Sequence, residues 1–179
     1  DVCSSDLFVI GYAYDDRWNR MSTGTFFKRR LIRLQPMVIM GSIVGAALFW
    51  FQDAPCYPAM EGVSAGAVLL VMLLGCTLLP LPLKWDVRGW MEMHPLNGPA
   101  WSLYYEYIGN ILYALFIRKF SKTALTVLVA IAACFTVHRC LTAPAGDIVG
   151  GWALNWEQQY VGLVRLMYPF FGGLLLSRL

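Results

Sequence analysis

Charge is scarce in this chain of 179 residues. Asp, Glu, Lys and Arg make up 14% of it, against about 25% in an ordinary soluble domain. That excludes a solvated surface of the usual kind. The net charge of +3 is too small to mark a nucleic-acid-binding face, so no nucleic-acid partner is expected. His94 and His138 are the two histidines, and neither has a partner at catalytic or metal-ligand spacing. There is no Gly-rich phosphate loop, no Gly-x-Ser-x-Gly elbow and no zinc signature. Cys76 and Cys134 lie in apolar runs, where cysteine acts as a small hydrophobe. Cys3, Cys56 and Cys140 have no partner at metal-ligand spacing, so neither a metal site nor a disulfide framework is expected. There is also no internal repeat, no low-complexity segment and no signal-peptide pattern.

What is present is apolar. Hydrophobic residues make up 58% and aromatics 15%, and the mean hydropathy is +0.55. Disordered chains lack such aromatic content. A membrane span needs about 20 mostly apolar residues. Five stretches meet or approach that length: Leu34–Phe51, Ser64–Leu83, Pro99–Ile117, Ala124–Val137 and Tyr160–Leu176. Phe8–Tyr14 reads as the tail of a sixth. Trp50, Phe51, Trp85, Trp152, Trp156 and Tyr160 fall at their ends, as interfacial aromatics do. The expected fold is all-α, a polytopic transmembrane helix bundle with about five full spans plus a stub. Asp1–Leu7 has the look of a translated adapter and is read as a non-native tag. Both ends are expected to be truncated.

The basic residues set an orientation. Lys28, Arg29, Arg30 and Arg33 put the start of the first full span inside. Counting spans then places Lys84 and Arg88 inside, and the chain after Pro99–Ile117 outside. Yet Arg118, Lys119 and Lys122 follow that stretch. Either one segment is not a simple crossing, or the charge rule fails locally.

Two clusters carry candidate chemistry. On a helix, Arg29, Arg30 and Arg33 share an arc of about 100°. Three guanidiniums repel unless an anion sits among them, and a guanidinium holds phosphate through a planar fork of donors. A phosphate-bearing ligand is one reading; a topology signal touching anionic lipid heads is the other. In the second cluster, Ser102, Glu106 and Asn110 are spaced i, i+4, i+8, with Tyr113 on the same stripe. A carboxylate inside a bilayer costs a few kcal/mol, which makes Glu106 functional by default. Interhelical glue is the alternative. Arg165, in the last span, can serve as counter-charge to Glu106 or snorkel to the nearer interface. Pro169 should kink that helix. His94 and His138 read as loop or surface residues.

Together these motifs resemble the integral-membrane acyltransferase 3 family, which O-acetylates bacterial surface polysaccharides. Phe8–Tyr14 is similar to the end of the family's second span. Arg29-Arg-Leu-Ile-Arg-Leu-Gln-Pro36 matches its Arg-x-x-Arg stretch, with Arg30 and Arg33 as the pair. Asn97-Gly-Pro-Ala-Trp-Ser-Leu-Tyr-Tyr-Glu106 matches its Trp-Ser-Leu-x-x-Glu stretch through Trp101, Ser102 and Glu106. The run from Arg165 to Gly173 is similar as well. Gln35 stands where an aromatic is common, and Tyr107 where a second acid is frequent.

The resemblance implies a partial membrane acyltransferase domain over 8–179, in the bacterial inner membrane. It implies acetyl-CoA as acyl donor, held by Arg30 and Arg33, and a sugar or polysaccharide hydroxyl as acceptor. Glu106 would orient the base or the acceptor. It also implies a functional histidine in a first span, and no residue here matches it. The remaining partners would be the lipid bilayer and the other spans of a longer chain. A multi-span transporter or lipid-linked sugar translocator is the competing class, since such proteins also place Glu and Arg in spans. A purely structural membrane subunit is a third possibility.

Overall fold

A computed structural model describes residues 11–52 and 62–179. Among the described residues there is no strand. Five helices follow one another: α1 (Thr23–Phe51), α2 (Ala65–Gly75), α3 (Ala100–Leu115), α4 (Lys122–Thr142) and α5 (Trp156–Ser177). Short 3-10 turns occupy Asp15–Arg17, Leu83–Trp85 and Ile117–Lys119, and residues 11–14 are helical. The expected tag at 1–7, residues 8–10 of the stub, Cys3, Cys56 and most of the acidic loop before α2 lie outside the described residues.

Five full spans were expected. Among the described residues, three helices (α1, α4 and α5) are long and apolar enough to cross a membrane. The second stretch falls short because its apolar run outlasts its helix. Ser64 caps α2, its Oγ accepting from the Ala67 amide at 3.2 Å. Eleven residues later the helix stops, after about 16 Å at 1.5 Å per residue, roughly half of a 30 Å hydrocarbon core. Thr77 Oγ1 donates to the Leu74 carbonyl at 2.6 Å, and Leu78 turns left-handed at φ 61°. Pro80 and Pro82 then follow, neither with an amide to continue a ladder. The third stretch gives a helix of 16 residues.

The other helices exceed expectation. α1 starts at Thr23, with Ser22 Oγ accepting from the Thr25 amide at 3.2 Å, and it runs through Pro36. α4 absorbs its threonines, because Thr126, Thr136 and Thr142 donate to the carbonyls of Lys122, Ala132 and His138. α5 continues past Pro169.

The chain forms two compact units. One holds Arg29–Tyr104 and Trp152–Gln159. Here α2 runs back along the second half of α1. Ala46 and Phe49 join Val68 and Val71 in one core, and Gly75 faces Ser42. Leu81 then returns to the same core, so α2 and residues 76–81 form a hairpin. The connection 84–98 is not a free loop. The Leu96 carbonyl lies against Gly45 where a side chain would otherwise stand. Asn97 packs on Gly41 and donates through Nδ2 to the Val38 carbonyl at 3.3 Å. Earlier in the connection, Lys84 lies over Trp85 and Arg88 over Trp90. Burial pushes the Glu92 carboxyl above its ordinary range, and Arg88 at 3.6 Å pulls it back.

The other unit holds residues 11–28, Tyr105–Gly151 and Tyr160–Leu179. A polar clasp gathers its ends. Arg178 Nε meets Asp15 Oδ2 at 2.6 Å, Nη1 donates to the Phe120 carbonyl at 2.6 Å and Nη2 to the Arg118 carbonyl at 3.1 Å. Tyr113 donates to Asp15 Oδ1 at 2.5 Å and accepts from Trp18 Nε1 at 3.1 Å. The Arg118 guanidinium stacks 4.2 Å from the Trp18 ring centroid. Below the clasp, Phe170 packs on Gly109 and Tyr105 on Gly162.

The clasp bears on the orientation conflict. The residues leading into α1, the end of α3, the start of α4 and the end of α5 all meet there. Arg118, Lys119 and Lys122 therefore share an end of this unit with the residues that precede α1. An α2 hairpin that enters and leaves on one side would account for this, with Lys84 and Arg88 as local exceptions to the charge rule. In a cysteine-free, full-length background, Gly66→Cys and Lys84→Cys should react with an impermeant maleimide from one and the same face. Arg20→Cys and Lys119→Cys should likewise share a face. Opposite-face labelling of 66 and 84 would show that α2 crosses.

Candidate functional site

The buried side chains of α1 form one stripe: Phe26, Arg30, Leu34, Val38, Ser42, Ala46 and Phe49. Their spacing of about four residues is that of one helix face. Arg30 lies on it at 1% exposure. Arg29 and Arg33, grouped with it by spacing, are exposed. So the three guanidiniums are not presented alike: one is turned into the protein and two outward. A buried charge is retained only where the surroundings compensate it.

On α3 the polar stripe faces inward. Glu106 is 2% exposed, and Asn110 and Tyr113 are fully buried. Trp101 and Ser102, one turn earlier, are half-buried. The Ser102 hydroxyl donates to the Pro99 carbonyl at 2.8 Å, which closes the first turn of the helix. Tyr113 belongs to the clasp. Neither the amide oxygen nor the amide nitrogen of Asn110 has a hydrogen-bond partner. Leaving such a group unmatched costs about 1–3 kcal/mol.

Two uses of Arg165 were expected, and the structure adds a further contact: Nη1 donates to the Gly150 carbonyl at 2.8 Å, which ties α5 to the connection before it. Arg30, Arg33, Trp101 and Ser102 fall in one unit, and Glu106, Asn110 and Arg165 in the other. Ser102, Glu106 and Asn110 remain on consecutive turns of a single helix.

One residue escaped the sequence reading. His94 is in a connection, as expected, but it is 2% exposed. Its Nε2 lies 3.3 Å from the Leu78 carbonyl. A carbonyl only accepts, so Nε2 carries the hydrogen. Nδ1 is buried without a hydrogen-bond partner. The ring centroid is 6.1 Å from that of Tyr104. The signal that could have found it is Gly41-x-x-x-Gly45 on α1, a pair of small residues that lets another backbone approach closely. His138 is exposed on α4, in line with the sequence reading.

The model of the acyltransferase domain family matches residues 5–179. The chain belongs to that family. A similar protein, described as protein 2 in the picA locus of Rhizobium radiobacter, is 27% identical over 114 residues. That alignment covers 60% of this chain and 58% of the relative's length. No solved structure matches. Three of its helices are long and apolar enough to cross a membrane, as suits a membrane protein of this family.

In the full-length protein, Asn110→Leu replaces the unmatched amide by an apolar side chain of similar size. It should raise the melting temperature in detergent, relieving about 1–3 kcal/mol, while lowering activity. A fall in melting temperature would show that the amide has a stabilising partner.

Proposed function

We propose that the intact protein is a membrane-bound acyltransferase of the bacterial inner membrane. It moves an acyl group, acetyl in the simplest case, from acyl-CoA to a hydroxyl of a sugar or cell-surface polysaccharide. The observation that carries this reading is the burial of two charged side chains, Arg30 and Glu106, within the stretch that matches the acyltransferase family.

Arg30 and Arg33 hold the phosphates of the donor. Arg33, with Arg29 beside it, offers exposed guanidiniums to a ligand arriving from the aqueous side, and forked donors suit phosphate oxygens. Arg30 lies three residues before Arg33 and extends the positive charge into the protein. The acceptor oxygen attacks the thioester carbonyl carbon. The new C–O bond forms, the C–S bond breaks, and the hydroxyl proton passes to a general base. The sulfur leaves and takes up a proton to become the CoA thiol. Family likeness assigns the base to a histidine that has no match in residues 8–179. Glu106 orients that base or the acceptor, a role suited to a carboxylate held at 2% exposure.

The test uses the full-length protein in proteoliposomes with acetyl-CoA. Arg33→Gln removes an exposed side chain and should leave the fold intact. It should weaken acetyl-CoA binding roughly tenfold or more, the scale of one charge-assisted hydrogen bond. Glu106→Gln should leave donor binding in place and lower turnover by roughly a hundredfold. If both variants bind and turn over like the parent, these roles are wrong. Sugar uptake into the liposomes without any CoA, and unchanged in both variants, would instead identify a transporter.

A further inference from the structure

The tip of the α2 hairpin gathers polar groups where an apolar turn would be expected. Gln35 Nε2 donates to the Cys76 carbonyl, and His94 Nε2 to the Leu78 carbonyl at 3.3 Å. The first bond takes the carbonyl of the C-cap residue of α2, and the second a carbonyl of the turn that follows it. Two groups beside the same turn stay unmatched: Ser42 Oγ and His94 Nδ1 are both buried without a hydrogen-bond partner. Ser42 faces Gly75, and Leu78, the partner of His94, bonds back to Gly75 through its amide at 3.1 Å. Both orphans therefore border the turn Gly75–Leu78.

Depth makes these orphans informative. Counted from Arg33 as the aqueous boundary of α1, Ser42 lies nine residues further on, about 13 Å along the helix, which is near the middle of a hydrocarbon core of about 30 Å. Irregular backbone at such depth persists where it is enclosed by protein or lines a polar cavity. Lipid offers no hydrogen bond to a bare imidazole nitrogen or a hydroxyl. A donor would satisfy Nδ1 and an acceptor would satisfy the hydroxyl, and an alcohol can do both.

We propose that the hairpin tip is a hydroxyl-binding site in which His94 Nδ1 accepts from, and Ser42 Oγ donates to, the hydroxyl of the acyl acceptor. This rests on the acyltransferase reading above and adds to it the residues that hold the acceptor. His94 is a binding residue here. The tautomer that caps Leu78 leaves Nδ1 with a lone pair directed away from that cap.

Two substitutions separate ligand binding from structure, because each keeps one ring nitrogen's counterpart. In His94→Gln the side-chain amide nitrogen reaches the Nε2 position, so the Leu78 cap survives and the Nδ1 acceptor is lost. In His94→Asn the shorter amide reaches the Nδ1 position and the cap is lost. In the full-length protein, with acetyl-CoA as donor and methyl glucoside as acceptor, His94→Gln should raise the acceptor KM roughly tenfold. The acetyl-CoA KM should change less than twofold. His94→Asn should keep an acceptor KM near the parent's while lowering the melting temperature. Ser42→Ala should raise the acceptor KM by a smaller factor.

The reverse pattern, with Gln harmless and Asn damaging to KM, would overturn the site and leave His94 a helix cap. If His94→Gln slows only acetyl-CoA hydrolysis in the absence of acceptor, the occupant is water and the proposal also fails. A parent protein that transfers no acetyl group would defeat the acyltransferase reading alone. The site would then be read from 15N-histidine spectra. A His94 Nδ1 resonance that shifts saturably with methyl glucoside supports the site, and an unmoved resonance rejects it.

Discussion

The architecture of the Arg29–Tyr104 unit depends on how closely a backbone can approach α1. At Gly45 the Leu96 carbonyl occupies the place of a side chain, and at Gly41 the Asn97 amide lies 2.7 Å from where a Cβ would be. Any larger residue at Gly45 would hold residues 94–98 off the helix. Those residues set where α3 begins, and α3 carries Ser102, Glu106 and Asn110 on successive turns. They also bring His94 to the end of α2. Two missing side chains on one helix thus position His94 and Ser102, which lie about 50–60 residues away in sequence.

The fold was partly legible. Long uniform apolar stretches gave α1, α4 and α5, with ends misplaced because polar residues joined the helices: Lys28 to Arg33 in α1, Arg139 and Thr142 in α4, Glu157 to Gln159 in α5. Ser121 caps α4 through its Oγ, and its threonines bond to their own preceding turns, so polarity did not mark a boundary. The error at α2 had the opposite origin. Composition there stays apolar through Leu83, but Pro80 and Pro82 cannot prolong a helix and Leu78 adopts a left-handed backbone. Backbone chemistry overruled hydropathy. The charge pattern after α3, which five crossings could not satisfy, was the sequence's own sign that the count of spans needed revision.

The candidate residues were legible as polar residues among apolar neighbours, more than in how the fold presents them. Arg30, Glu106 and Asn110 were chosen for their charge or polarity among apolar neighbours, and all three are buried. Spacing on a single helix could not say that Arg30 turns inward while Arg29 and Arg33 turn outward, because that depends on which face another element covers. His94 was hidden for the same reason. Nothing local distinguishes a loop histidine in solvent from one docked under a helix end. The clasp of Arg178, Asp15, Tyr113, Trp18 and Arg118 joins residues up to 163 positions apart, beyond any local pattern.

Helix α4 presents Val127, Ile131, Phe135, Val137 and Leu141 outward along its length. Its 21 residues extend about 31 Å, close to the thickness of an ordinary hydrocarbon core. A helix so matched acts as a gauge of the surrounding lipid. In a thinner membrane it must tilt to keep its apolar surface covered. Its first turn is joined directly to Phe120 and Arg118, whose carbonyls Arg178 grips. Tilt would therefore load the clasp.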